Sequence, residues 1–303
     1  MRNYHPLSAY WKEKFGTKVW KIPLDAGLTC PNRDGTISSS GCIFCNEQGS
    51  GTGLNLRSIS LKDQYNLYRE KLIRRHGHIK FAAYLQSFSN TYCTLEHLKL
   101  ILQDLEKLDD LAVLCIGTRP DCLDKDKINS LAHFPSEEVW LDLGLQSSCD
   151  ETLKRINRGH LARDFSISCR LAASRGLRVC AHVIAGLPGE TLDHFLETID
   201  FLNHEPVQGI KIHNLYICRH TTLAAMWEKR MYTPLSMKEY AWWVCRGLAG
   251  LRPDIIIHRL TGDPAPGELK APQWAEAKSS ILNLINTTLE KKGLHQGQEW
   301  SNV

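Results

Sequence analysis

Val113-Leu114-Cys115-Ile116, inside the run Leu111–Gly117, and Val139-Trp140-Leu141, inside Val139–Gln146, are apolar on both faces of an extended chain. Strands of this kind belong to parallel sheets covered by helices, not to sheets with a wet face. Short β-branched runs recur outward from these two, at Val19–Leu24, Lys80–Gln86, Arg178–Ala185 and Gly209–Tyr216. Between them lie amphipathic stretches that predict helices over Ser60–His76, Thr94–Leu108, Asp150–Asn157, Ala162–Arg175, Glu190–Asn203 and Ser236–Gly247. Six β-then-α units imply right-handed crossovers, and they are too few for a closed eight-stranded barrel. The expected fold class is α/β, an open, partial (β/α)6 TIM-like barrel. After Leu251 the composition shifts. Pro253, Pro264, Pro266, Gly267 and Pro272 surround one strand, Ile255–Leu260, ahead of a last helix at about Gln273–Lys292. This predicts a core over 1–250 and an α+β C-terminal extension over 251–303 packed on it.

Length and composition bound the function. The chain has 303 residues, 43% hydrophobic, enough for one large domain or two average ones. Met1 to Phe15 mixes charges with aromatics and has no continuous apolar stretch, which argues against a signal peptide. No apolar run reaches the roughly 18–20 residues of a membrane span, so no membrane partner is expected. Eleven cysteines without a secretory signal suit a reducing compartment, where thiols serve metals, and a cytoplasmic location is expected. A net charge of +4 permits a polyanionic partner without requiring one. The basic stretch Arg69–His76 reads first as a solvated helix face.

Cys30, Cys42 and Cys45 carry the chemistry. Two form a C-x-x-C loop and the third lies upstream in the same Gly/Ser-rich segment. Three soft thiolates suit an iron–sulfur cluster or zinc. Three ligands leave one corner of a four-iron cluster open to a small molecule. A structural zinc site would need a fourth ligand close by, and the segment from Cys30 to Asn55 has no His and no further Cys beyond these three. The other eight cysteines show no such pairing, and Cys115 and Cys180 read as small core residues.

Asp25-Ala26-Gly27-Leu28-Thr29-Cys30-Pro31-Asn32-Arg33-Asp34-Gly35-Thr36, followed by Gly41-Cys42-Ile43-Phe44-Cys45, resembles the wide-spaced cluster loop of the YhcC/YtqA-type radical-SAM family. Further matching segments are Gln86–Tyr92, Gly117–Cys122, Leu143–Ser147, Ile156–His160, His182–Thr191 and Arg259–Asp263. The resemblance spans nearly the whole chain. A looser similarity links it to the radical-SAM domain of the Elongator catalytic subunit.

This resemblance implies a partial barrel of the radical-SAM type. It also implies a [4Fe-4S] cluster on Cys30, Cys42 and Cys45, and S-adenosyl-L-methionine (SAM) cleaved to a 5′-deoxyadenosyl radical after reduction by a donor such as flavodoxin or ferredoxin. Gln86, Ser87 and Asn90 stand where many such enzymes hold the methionine amino group. Gln146 is expected near the SAM ribose, sharing a strand face with Asp142, and Arg158 near the methionine carboxylate. His182, Gly186 and Asn214 are expected near the adenosyl group. Hydrogen abstraction by a carbon radical needs no acid or base, and no catalytic residue is assigned. The resemblance further implies a tRNA substrate, modified at the C5 substituent of the wobble uridine from carboxymethylaminomethyl to aminomethyl. A small metabolite or protein substrate is the alternative, and a zinc-binding interaction module without SAM chemistry is a third. For RNA, Arg119, Arg158, Arg163, Arg259 and Lys270 are the candidate phosphate contacts. Trp242, Trp243 and Trp274 are candidate stacking surfaces or, alternatively, core.

Overall fold

A computed structural model describes residues 3–46, 49, 59–77 and 79–301. Among these, the main sheet has seven strands, all parallel and ordered as they occur in the chain. They are β1 (Val19–Leu24), β2 (Lys80–Leu85), β3 (Leu111–Thr118), β4 (Glu138–Gln146), β5 (Arg178–Ala185), β6 (Gly209–Asn214) and β8 (Ile256–Arg259). Sequential order with parallel pairing makes every connection a crossover of one hand, so the sheet curls into the expected open barrel. The tail contributes to it, because β8 pairs with β6 and forms the edge opposite β1. Pro23 sits in β1, an edge strand, where its missing N–H costs no ladder bond.

The convex face carries helices α2 (Leu61–His76), α3 (Leu95–Leu105), α4 (Lys125–Ala132), α5 (Asp150–Arg155), α6 (Ala162–Ala173), α7 (Leu192–Asn203) and α9 (Met237–Gly250). Their N-termini follow the cap chemistry. Ser60, Thr94 and Ser236 side chains accept from the backbone N–H of Asp63, His97 and Glu239. The main core lies between these helices and the sheet, with Leu114, Leu141, Val179 and Ile212 fully buried. A smaller apolar cluster fills the concave face, where Ala82, Val113, Cys115, Trp140 and Cys180 meet Leu7 and Trp11.

Those last two come from α1 (Leu7–Phe15), a helix that the N-terminal mix of charge and aromatics had not revealed. It plugs the bottom of the barrel around a buried carboxylate. Glu138 accepts from Tyr10, from Trp11 Nε1 at 3.2 Å and from Trp140 Nε1 at 2.9 Å, and pairs with Lys14 at 2.8 Å and Arg178 at 2.9 Å. The predicted sixth strand ends at Asn214, and a two-stranded sheet follows from β7 (Ile217–Cys218) and β9 (Leu269–Ala271). Helix α8 (Thr222–Glu228) was also not anticipated, and the last helix begins later than expected, as α10 (Lys278–Lys292) after a 3-10 turn. Among the described residues no helix is long and apolar enough to cross a membrane.

Candidate active site

The cysteine loop follows β1, at the C-terminal ends of the strands. Its shape is set by backbone turns. Arg33 N–H donates to Cys30 O at 2.9 Å, and Cys45 N–H to Cys42 O at 2.9 Å. The loop is tied down by the segment after α5. Asn157 Nδ2 donates to Gly41 O at 2.6 Å, Asn32 Nδ2 to Asn157 O at 2.6 Å, and Ile43 N–H to Ile156 O at 3.1 Å. Gly159 has φ +78, and a Cβ there would lie 2.9 Å from Ile37 and 3.0 Å from Asn32, so only glycine permits this approach.

All three thiols are free of disulfides, and they line one cavity. Cys42 Sγ accepts from Asn32 Nδ2 at 3.5 Å and from Arg158 Nη1 at 3.7 Å, and Cys45 Sγ accepts from Arg33 Nη1 at 3.5 Å. Burial and the neighbouring Cys42 push the Cys45 thiol up, with Arg33 opposing them. Amide and guanidinium donors aimed at sulfur suit thiolates that bind a cationic cluster. The donor set therefore fits an iron–sulfur group.

The same cavity is lined by Gln86, Gln146, Arg158 and His182, four of the expected SAM contacts. Asp142, Gly144 and Gln146 line it together, as alternation along β4 predicted. A register shift between Gly144 and Gln146 puts Gln146 at φ 76, a rare conformation for a non-glycine residue at a strand end. Arg158 is buried, and its Nη2 donates to Gly144 O at 2.9 Å while Nε has no partner. Ser87, Asn90, Gly186 and Asn214 do not line this cavity. Ser87 and Asn90 are buried behind it, with Ser87 Oγ and Asn90 Oδ1 unpartnered. Asn90 Nδ2 holds Gly117 O at 2.9 Å. Gly186 accepts from Tyr232 at 2.7 Å, and Asn214 Oδ1 accepts from Gly262 N–H at 2.7 Å.

Beneath the cavity lies a polar layer that the sequence reading largely missed. Lys211 Nζ donates to Asp142 Oδ2 and, at 2.9 Å, to Tyr84 Oη, with Lys211 and Asp142 buried and Tyr84 half-buried. Burial pushes the Asp142 carboxyl up, but Lys211, Lys21 and nearby His182 outweigh it and hold it well below the usual range. His182 stacks on His213 with ring centroids 5.5 Å apart. Burial and then Lys211 bring His182 down to about 4, so it is neutral at pH 7. Asp142, Cys180 and His258 bring candidate ligand atoms within 4.8 Å of one another, but the Lys211 ammonium already occupies Asp142. The available signal was a lone lysine in the apolar strand Gly209–Asn214, two positions before His213 and so on its face.

Several expected RNA contacts are corrected. Arg119 is buried, pairs bidentately with Asp121 at 2.9 and 2.7 Å, and donates to Arg158 O at 2.8 Å. Arg158 is committed to Cys42 and Gly144. Neither guanidinium is free to meet a phosphate, because burial here demanded partners inside the protein. Trp243 is buried against Phe195, and Trp274 Nε1 donates to Leu235 O at 3.1 Å, so both pack in the fold. Arg163 is exposed, and Arg259 is half-exposed beside Asp263 at 3.3 Å.

The comparisons agree with this geometry. The family model described as Radical SAM superfamily matches residues 30–202, and Radical_SAM C-terminal domain matches 207–291. The chain is 37% identical to YtqA of Bacillus subtilis over 298 residues, covering 98% of this chain and 92% of that protein. It is 33% identical to YhcC of Escherichia coli over 293 residues, covering 95% and 93%. More distantly, it is 27% identical over 203 residues to the tRNA uridine(34) acetyltransferase of Methanocaldococcus infernus, covering 64% of this chain and 37% of that protein. Among solved structures, the archaeal Methanocaldococcus infernus Elp3 with an N-terminal deletion superposes with a TM-score of 0.70 at 20% identity. It covers 92% of this chain and 64% of that one, and shows the shared fold. The curled parallel sheet, the cysteine loop at its strand ends and the family match over more than half its length establish that this chain belongs to the radical SAM superfamily, whose cofactors are a [4Fe-4S] cluster and SAM.

Proposed function

We propose that the chain is a cytoplasmic tRNA-modifying radical-SAM enzyme acting on the C5 substituent of the wobble uridine, converting carboxymethylaminomethyl to aminomethyl. Cys30, Cys42 and Cys45 hold the cluster in this reading. Gln86, Gln146, Arg158 and His182 hold SAM, with Ser87, Asn90, Gly186 and Asn214 supporting them from behind. When bound and reduced by a flavodoxin- or ferredoxin-type donor, cluster and SAM supply a 5′-deoxyadenosyl radical that abstracts hydrogen from carbon. The chain's own residues have other tasks. Arg33, Asn32 and Arg158 direct N–H groups at the sulfurs and hold the cysteine loop against the strand ends. Arg158 lines the cavity and brings a fixed positive charge toward a carboxylate bound there. The buried polar layer fixes the cavity floor, and the α1 plug excludes water from below.

The observation that carries the chemistry is the cavity that gathers three cysteines with Gln86, Gln146, Arg158 and His182. The RNA substrate is supported by the similarity to a tRNA uridine(34) acetyltransferase. Anaerobic reconstitution with iron and sulfide, followed by a SAM-cleavage assay, tests the chemistry. Nucleoside analysis of tRNA from cells with and without the gene tests the substrate. Loss of the aminomethyl form in the deleted strain is expected. An unchanged profile moves the substrate to a small metabolite or a protein.

A further inference from the structure

A second chamber of about 490 Å³ opens at the seam where the edge strands β1 and β8 face each other. It shares Tyr84 and Gln86 with the cysteine-lined cavity, so the two are adjacent. Its polar lining is one-sided. Lys21, Lys211, His258 and Arg259 face it, and among the described residues no carboxylate does.

Among the described residues, one of the cations facing the chamber has no ion pair. Lys211 is neutralised by Asp142, and Arg259 by Asp263 at 3.3 Å. Lys21 has no ion pair among the described residues. Its ammonium lies 5.4 Å from the Trp11 ring and 5.0 Å from the Tyr84 ring. Beside it, both ring nitrogens of His258 lack hydrogen-bond partners, and burial and Lys21 hold that imidazole neutral. A half-buried ammonium with no ion pair among the described residues, feeling only the Asp142 carboxylate that Lys211 already pairs, leaves room for an anion beside the unpartnered imidazole. On the other side, Asp142 lines the cysteine cavity, its carboxylate already paired with Lys211.

We propose that this chamber binds the anionic end of the substrate, with Lys21 as its charge partner, and that the anion is the carboxylate of the carboxymethylaminomethyl arm. This rests on the tRNA reading above and deepens it. An arm ending in a carboxylate would run from the cysteine cavity past Tyr84 and Gln86 and bring that carboxylate to Lys21. An RNA phosphate shares the anionic chemistry, but the chamber lies inside the curled sheet, against the plug helix, where a backbone phosphate arrives less readily than a flexible arm.

The test is calorimetric titration of the SAM-loaded, reconstituted protein with nucleosides. The probes are 5-carboxymethylaminomethyluridine, its methyl ester, uridine and uridine 5′-monophosphate. The acid is expected to bind about tenfold to a hundredfold tighter than the ester, the range of one charge-assisted contact. Lys21→Met should erase that preference and Lys21→Arg should keep most of it, with SAM affinity unchanged in both. Equal binding of acid and ester by the wild type overturns the proposal without need of any variant. So does full preference retained by Lys21→Met. Uridine 5′-monophosphate binding well above uridine, and losing that gain in Lys21→Met, would assign the chamber to phosphate instead and overturn the carboxylate. The tRNA profile of the deleted strain separates this inference from the reading beneath it. A changed profile with no acid-over-ester preference refutes the chamber alone. An unchanged profile with a clear preference refutes the tRNA reading alone.

Discussion

Replacing Lys211 by methionine keeps the side-chain volume and removes the ammonium that holds Asp142 and Tyr84. Asp142 is fully buried, with Lys211 only 6% exposed. Breaking such a pair from one side leaves an uncompensated buried charge, at a cost of about 3–5 kcal/mol. Unfolding entropy of about 2.1 cal/mol/K per residue gives a chain of 303 residues on the order of 0.6 kcal/mol/K, so Lys211→Met should lower Tm by roughly 5–8 °C. Asp142→Asn combined with Lys211→Met removes both charges and should recover at least half of the loss.

The pH dependence gives an independent sign. In the wild type Asp142 is held well below the usual range, so its contribution is complete above about pH 4 and fades only in stronger acid. In Lys211→Met burial is left with less to offset it, and the carboxyl rises. The folded variant then binds its proton more tightly than the unfolded chain, so its deficit against wild type shrinks as pH falls from 7 toward 4. Thermal and urea unfolding of the cluster-free protein at several pH values measures both effects. A Tm within about 1 °C of wild type, or a deficit that grows on acidification, would refute the reasoning.

Four further outcomes follow. Cys30→Ala, Cys42→Ala and Cys45→Ala should each lose reconstituted iron and SAM cleavage, whereas Cys169→Ala and Cys245→Ala, both in the core, should keep the iron; iron analysis and the 5′-deoxyadenosine yield decide. Gly144→Ala would place a Cβ 2.4 Å from Arg158 Nη2 and 2.9 Å from Gln146 Nε2. It should therefore weaken SAM binding about tenfold or more, the loss of one charged contact, with iron near normal. Glu138→Ala should destabilise the fold by about 1–3 kcal/mol, because it leaves the buried Trp11 and Trp140 N–H groups unpartnered and loosens α1, while the partly exposed Lys14 and Arg178 can be hydrated; denaturant titration measures it. His160, His182, His213 and His258 are all depressed by burial, His160 to about 2, and so fold uncharged. The unfolded chain binds these protons first, so stability should fall as pH drops through 6.5, read from urea midpoints at pH 7 and pH 5.

The alternation of two-sided apolar strands with capped amphipathic helices determined the curled parallel sheet, because burial on both faces and right-handed crossovers leave few other arrangements. The cysteine spacing likewise pointed to the proposed cluster loop, since all three candidate ligands are local in the chain. The partners of those cysteines came only with the tertiary structure. Asn157 and Arg158 reach the loop from 116 positions away or more, and no local pattern records that distance. Folding also withdrew Arg119 and Arg158 from the surface that a charge count had assigned to them. The polar floor was hidden for a related reason. Tyr84, Asp142, Lys211 and His258 lie on four different strands, each flanked by apolar residues on at least one side. Curling the sheet brings these strands around one axis, and the meeting of isolated residues there is a property of the curvature.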